Sequence, residues 1–497
     1  MIKKEIKNFN KEKGVIIVQV LVFSSIVIII IGALASWTAV TLKASRIAFN
    51  NEQAFQSAEA GIDYYRWHLA HAPTDYQDGT GSAGPYVHEL EDKDGNTVGE
   101  FSLDITAPSL GSTLVKIKST GSSALDPNYL RRIESRVAKP SIAKYAFAGH
   151  DAMRFGEGTE VFGPIHVNGG IRFDGLAHNI VTSGATTYDD ADHSGNNEIG
   201  VHTHVNAPPS FGVNDSYRSA EANPNSIPSR PDVFEAGRLI SQPTIDFVGF
   251  TTDLATLKAN AISSGFYRDA AGSGYLGYHV VLKTNGTFDL YKISSWASRG
   301  HCDGTGSESV SWSINSQTMV GTGLGNFPLP ANGILFFEDH VVINGQINGA
   351  RLTITAADLP VPSSETGYKN IIINNDILYT SYDGSDAIGL IGQKGVMVGL
   401  VSEDDLRIDA ALIAQNDKVG RFYYISDGQS CAYDDRDTLT LFGMIASHDR
   451  YGFAYTNGTG YTTRNITYDA NLLYAPPPDF PITSDQYQII SWQEVKN

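Results

Sequence analysis

Residues 15–70 read VIIVQVLVFSSIVIIIIGALASWTAVTLKASRIAFNNEQAFQSAEAGIDYYRWHLA, and this stretch decides the fold. Its first part, residues 15–42, has 28 residues without a charge. A helix needs only about 20 apolar residues to cross the hydrocarbon core of a membrane. Beyond it, Leu42, Ile47, Phe49, Ala54, Phe55, Ala58, Ile62 and Tyr65 recur at spacings near three and four, with no proline before Pro73. One long helix over 15–72, apolar first and amphipathic later, accounts for both parts. A secretory signal is the competing reading, because Gly32 to Ser36 (GALAS) offers small residues for cleavage. The apolar run before that point, about 18 residues, is longer than the usual 7–15 of such signals.

The residues before this helix are basic. Lys3, Lys4, Lys7, Lys11 and Lys13 stand against Glu5 and Glu12, and the leader ends in Gly14. Positive charge on the N-terminal flank predicts that residues 1–13 stay in the cytoplasm and that everything after about residue 45 is exported.

A short basic leader, a glycine, an aliphatic run and then AFQSAEA (54–60) resemble the class III signal and stalk helix of type IV pilins and pseudopilins, most nearly minor pilins of the PilX-like group. The resemblance implies cleavage by prepilin peptidase after Gly14 and N-methylation of Val15, where the family usually has Phe or Met. It also implies that Gln19 stands where most pilins carry a glutamate that pairs with a neighbouring subunit's N-terminal amine. A neutral amide cannot neutralise an ammonium in a low-dielectric bundle. The substitution therefore points to a filament tip or an initiating complex.

Composition agrees with a β-rich exported region: 49 Gly, 24 Tyr and 22 Phe accompany only 18% charged residues. A net charge of −18 argues against nucleic acid as a partner, since that binding neutralises phosphates with Lys and Arg. The two cysteines, Cys302 and Cys431, are too far apart in sequence for a thiolate zinc motif. Export would permit a disulfide between them, and their spacing leaves that pairing open.

Residues 73–98 read as loop with a turn at KDGN, followed by three strands in EFSLDITA, STLVKIKSTG and YLRRIESRVAKPS. A pilin-like antiparallel sheet is thus expected over 73–140. Farther on, EVFGPIHVNGGIRFDG, HVVINGQINGARLTITAAD, NIIINNDILYT, AIGLIGQKGVMVGLV, LRIDAALIAQ and LTLFGMIASHD alternate β-branched residues with small corner residues. The later ones start about 17 to 33 residues apart, a degenerate repeat. Stacked rungs of a right-handed parallel β-helix would bury such faces; a β-sandwich head is the alternative. IDAALIAQ and PPPDFP also resemble β-helical domains that follow PilX-like stalks. The rungs are placed at 141–204 and 331–497. An insertion is expected at 205–330, with a proline-rich loop, a short helix and a hairpin at Asn285–Gly286.

Candidates for chemistry are few. Asp189, Asp190 and Asp192 in YDDADHSG, Asp404 and Asp405 beside Arg407, and Asp434, Asp435 and Asp437 around Arg436 offer paired carboxylates of the kind glycosidases use. Beside Gly, Asn and Ser they read as solvated turns. His202 and His204 in GVHTHVN share one side of a strand, with His193 nearby, but without a further ligand in view they read as a surface feature. No metal, cofactor or enzymatic activity is expected.

The expectation is a minor-pilin-like structural subunit, inserted in the inner membrane as a precursor and then displayed on the cell surface. Its partners would be other pilin subunits, the assembly machinery, prepilin peptidase and a surface glycan or protein. A membrane-anchored carbohydrate-binding or carbohydrate-active β-helix protein is the alternative.

Overall fold

A computed structural model of the chain describes residues 12–108, 112–247, 250–302, 309–320, 325–426, 428–455 and 457–496. It divides into two units, one of residues 1–107, 115–137 and 491–497, the other of 108–114 and 138–490. The leader lysines at 3, 4, 7 and 11 lie outside the described residues.

The first unit begins with helix α1 (Glu12–His71). Residues 15–42 are exposed throughout, and this is the one described helix long and apolar enough to cross a membrane. Three of the five hydroxyls in that run bond within the helix: Ser25, Thr38 and Thr41 donate to the carbonyls of Leu21, Leu34 and Trp37 at 2.8–2.9 Å. They therefore present no unpaired hydroxyl donor to an apolar surrounding. The second half of the helix is different. Ala54, Ala58, Ile62, Tyr65 and Leu69 form a stripe buried against an antiparallel sheet, as helical periodicity requires.

That sheet contains β1 (Tyr86–Glu91), β2 (Thr97–Thr106), β3 (Val115–Ser123) and β4 (Leu130–Ala138), with Gln488–Glu494 next to β4. β3 alternates buried and half-buried residues along its length. Small residues let helix and sheet approach closely. A Cβ on Gly121 would lie 2.2 Å from both the Ala54 carbonyl oxygen and the Ala58 nitrogen. Ser123 Oγ reaches Gln53 Oε1 at 2.6 Å from the same strand. The strands expected at 100–138 are present; β1 occupies a stretch read as loop, and the KDGN turn joins it to β2.

The second unit is a coiled, mainly parallel β-structure of stacked rungs, β-helix-like in its pairing. Parallel register leaves no place for an antiparallel sandwich. One stack runs, in spatial order, through Phe266–Arg268, Ile334–Phe337, Arg351–Ala356, Ala387–Gly392, Asp405–Ala414 and Asp435–Ser447, then Phe147–Gly149, Ile165–Val167 and Val181–Ser183. Its inward side chains make a continuous apolar column: Leu335, Ile354, Leu390, Leu412, Ile445, Phe147, Ile165 and Val181 are successive register partners, all buried. Each such side chain stabilises the coil by roughly 1.5–3 kcal/mol relative to exposure.

The order of rungs in space is therefore not their order in sequence. The first rungs of the chain stack on the last, through Ile445–Phe147, Ala446–Ala148 and Ser447–Gly149. The 205–330 region differs correspondingly from a lateral insertion. Its strands Phe266–Arg268 and Tyr278–Leu282 are themselves rung strands, paired in parallel with Ile334–Phe337 and Val341–Gln346. Helix α2 (Phe250–Ser264) covers the stack, burying Leu254, Leu257 and Ala261 with Ile334 and Phe336. The expected hairpin forms at Asn285–Gly286, where Gly286 has φ +79° and Tyr278–Leu282 pairs with Thr287–Trp296.

Cys302 and Cys431 are joined in a disulfide, with their Cα atoms 5.0 Å apart. Both half-cystines are buried in a cluster with Met397, Leu400, Phe422 and Tyr424, against which Trp312 packs.

Candidate metal centre

The residues between 187 and 204 fold back on one another in a compact way. Thr187–Tyr188 pairs antiparallel with Glu198–Ile199, and Val201–His202 then runs parallel to Ile171–Phe173. The intervening loop carries Asp190 and His193 back over the strand that bears His202. Alternation along the chain sends His202 and His204 to the same side. Asp190, His193, Glu198, His202 and His204 consequently meet, each offering one ligand atom, with all five atoms within 4.8 Å of one another. Four of the five residues are buried, and the His193 side chain is only 4% exposed.

The three imidazoles converge on a single carboxylate oxygen. Glu198 Oε2 lies 2.6 Å from His202 Nε2, 3.0 Å from His204 Nε2 and 3.3 Å from His193 Nε2. Asp190 Oδ2 stands at 3.3, 3.7 and 3.9 Å from the same nitrogens of His202, His193 and His204. The other oxygen of each carboxylate is anchored by backbone: the Asp192 N–H donates to Asp190 Oδ1 at 3.0 Å, and the Arg218 N–H to Glu198 Oε1 at 2.6 Å. His204 Nδ1 is 2.8 Å from the Asn214 carbonyl, which only a protonated Nδ1 can bond; in a neutral ring Nε2 then carries a lone pair aimed at the cluster.

Despite these short separations, neither ring nitrogen of His202 makes a well-aimed hydrogen bond among the described residues, and neither does Asp190 Oδ2. Burial resists charge here, yet the contacts outweigh it. Against burial, His202 and the Asp192 N–H hold the Asp190 carboxyl down at about 2, and His202 and His204 keep Glu198 well below the usual carboxylate range. Against burial again, Asp190 and Glu198 raise His202 above the ordinary histidine value. The pocket is built to hold two negative oxygens and draws positive charge into their midst.

A second layer fixes the floor. Arg172 is fully buried, bonds Asp174 at 2.7 Å and reaches Asp215, while Asp174 Oδ1 accepts from the His204 N–H at 2.8 Å. Asp192 turns outward to Arg154 and Arg450, at 3.3 and 3.1 Å.

The other sequence candidates are dispersed. Asp404 pairs with Arg436 at 2.8 Å with its side chain 66% exposed, and Arg407 bonds buried Asp409 at 2.9 Å. The Asp434 carboxylate accepts from the Asp435 N–H, an ordinary turn contact. Asp189 is exposed, but Asp190 is not the solvated turn residue that its neighbourhood suggested, nor are the three histidines a surface feature. Glu198 escaped notice altogether. The usable signal was the spacing Asp190-x2-His193-x4-Glu198-x3-His202-x-His204, five residues of ligand type within 15 positions.

Gly14 and Val15 both lie within α1, and Gln19 is exposed on its apolar half. No protein-family model matches the sequence, and no curated protein matches it. Among solved structures the chain is similar to the competence-associated pilin ComZ from Thermus thermophilus, at 13% identity and a TM-score of 0.30, over 90% of this chain and 97% of that one.

Proposed function

We propose that this chain is a pilin-like structural subunit, held in the inner membrane as a precursor and built into a type IV pilus or related filament by its N-terminal helix. One observation carries the reading: α1 divides its surface into two parts with different partners. Residues 46–71 serve the sheet of their own unit, whereas residues 15–42 expose a charge-free, mainly apolar surface that nothing in the chain covers among the described residues. Such a surface requires lipid before assembly and other apolar helices after it.

The proposal extends to processing and position. Prepilin peptidase cuts after Gly14, and Val15 becomes the methylated N-terminus. Gln19, lacking the charge that would neutralise a neighbour's amine, and a second unit spanning 138–490 suit a tip or initiating complex, where one subunit is enough. The rung domain then acts as a displayed head that binds a surface glycan or protein and has no catalytic role.

N-terminal mass spectrometry of the mature chain tests this directly, with methyl-Val15 as the expected start. In Gly14→Val the leader should remain attached and the protein should be absent from sheared surface filaments. Normal surface display of an uncleaved Gly14→Val chain would overturn the filament reading, and release of sugars from glycans by the purified chain would favour an anchored carbohydrate-active protein instead.

A further inference from the structure

We propose that Asp190, His193, Glu198, His202 and His204 bind one divalent first-row transition-metal ion in a closed, structural site. The geometry is that of a ligand set. Donors about 2.1 Å from a shared ion lie about 3.0 Å apart when adjacent and about 4.2 Å apart when opposite. The six imidazole-to-carboxylate separations, 2.6 to 3.9 Å, fall around that span.

Protons alone satisfy this cluster badly. Three Nε2 atoms around one Glu198 oxygen would each have to carry a hydrogen to bond it, and His204 already needs its Nδ1 proton for the Asn214 carbonyl. The 2.6 Å approach of His202 Nε2 to Glu198 Oε2 is off the hydrogen-bond axis. A metal removes the conflict: neutral imidazoles direct lone pairs inward, two carboxylates supply two negative charges, and a divalent cation makes the buried group electroneutral.

The donor set chooses the ion class. Three nitrogens exclude calcium and magnesium, which take oxygen shells, and favour zinc, iron, manganese or nickel. Five protein donors leave at most one further position on a six-coordinate ion, and burial of the donor residues shields it from a substrate, so the ion is structural. The second-layer contacts are those of a metal centre: a backbone carbonyl on the far nitrogen of His204 and backbone N–H groups on the far oxygens of both carboxylates. The ion would tie the 189–197 loop to the rung strand Val201–His202.

The full chain, purified in detergent without a polyhistidine tag, is stripped with dipicolinate, incubated separately with Zn2+, Mn2+ or Ca2+, desalted and measured by elemental mass spectrometry. The expected result is about one Zn2+ or Mn2+ per chain, no Ca2+, and an X-ray absorption spectrum with an imidazole-containing N/O shell. His202→Ala should lose the metal. Should that variant fail to fold, as judged by circular dichroism, the shape-preserving Glu198→Gln should still fold and bind at least 10-fold more weakly. Failure of the wild-type chain to retain either transition metal, or retention with unchanged affinity in Glu198→Gln, overturns the proposal.

Discussion

Reducing the Cys302–Cys431 bridge should destabilise the rung unit by an amount that the loop length sets. The bridge spans 129 residues. In the chain-entropy model a closed loop of that size removes about 5 kcal/mol of denatured-state entropy at 25 °C, and measured bridges more often contribute 2–4 kcal/mol. The lower part of the range applies after reduction, because Met397, Leu400, Phe422 and Tyr424 still pack around the two sulfurs. A unit of about 360 residues unfolds with an entropy near 0.75 kcal/mol/K, so 2–5 kcal/mol converts to a fall in Tm of about 3–7 °C. Differential scanning calorimetry of the full chain in detergent, with and without a phosphine reductant, reads this shift. The Cys302→Ala/Cys431→Ala double variant should reproduce it and lose its response to reductant. A shift below about 1 °C, with thiol titration confirming complete reduction, would refute the loop-entropy reasoning.

Two further outcomes follow from particular contacts. Gly121→Ala places a methyl group on the backbone of α1, which cannot yield as a side-chain tip would; a loss of about 3 kcal/mol and faster proteolysis within 86–137 are expected by limited digestion, against no change for a Gly95→Asn control in the β1–β2 turn. His340 is pushed down to about 4 by burial and by Lys369 and Lys394, against the pull of Asp339, and its Nδ1 accepts the Asn370 N–H at 3.0 Å. The unfolded chain therefore takes up this proton first. Stability falls as pH drops from about 6.5 to 4, by about 3 kcal/mol in all, and urea midpoints across that window should decline less steeply in His340→Gln.

The stalk was legible because its signal is local. Ala54, Ala58, Ile62 and Tyr65 fall at the helical period, and the apolar run before them is long enough to decide its own environment. The strands β2 to β4 were likewise visible in their alternation, but β1 was hidden by the glycines and aspartates flanking it, which carry turn signals. The rungs could be seen one at a time as short β-branched runs. Their order could not, since pairing of Ile445 with Phe147 depends on which faces remain uncovered when the coil closes, and no residue near either position encodes it. The cluster around Glu198 was legible only as a spacing of ligand-type residues, for a related reason: Asp190 and His193 sit among turn residues, and only the antiparallel return of Glu198–Ile199 along Thr187–Tyr188 brings them over His202.

The junction of the first rungs with the last has a consequence for how the head is made. A chain delivered from its N-terminus presents Phe147–Gly149 long before Asp435–Ser447 arrives to cover it. Until then one edge of that strand is unpaired, a template for association with other chains. Completing the column demands contacts between residues far apart in sequence, which makes folding slow. A coil wound in simple sequence order could cover each rung as the next emerged; this one must guard an open seam until its last third is out, so the interval between delivery and closure, more than the stability of the finished coil, is where substitutions near Phe147 and Ile445 should cost yield.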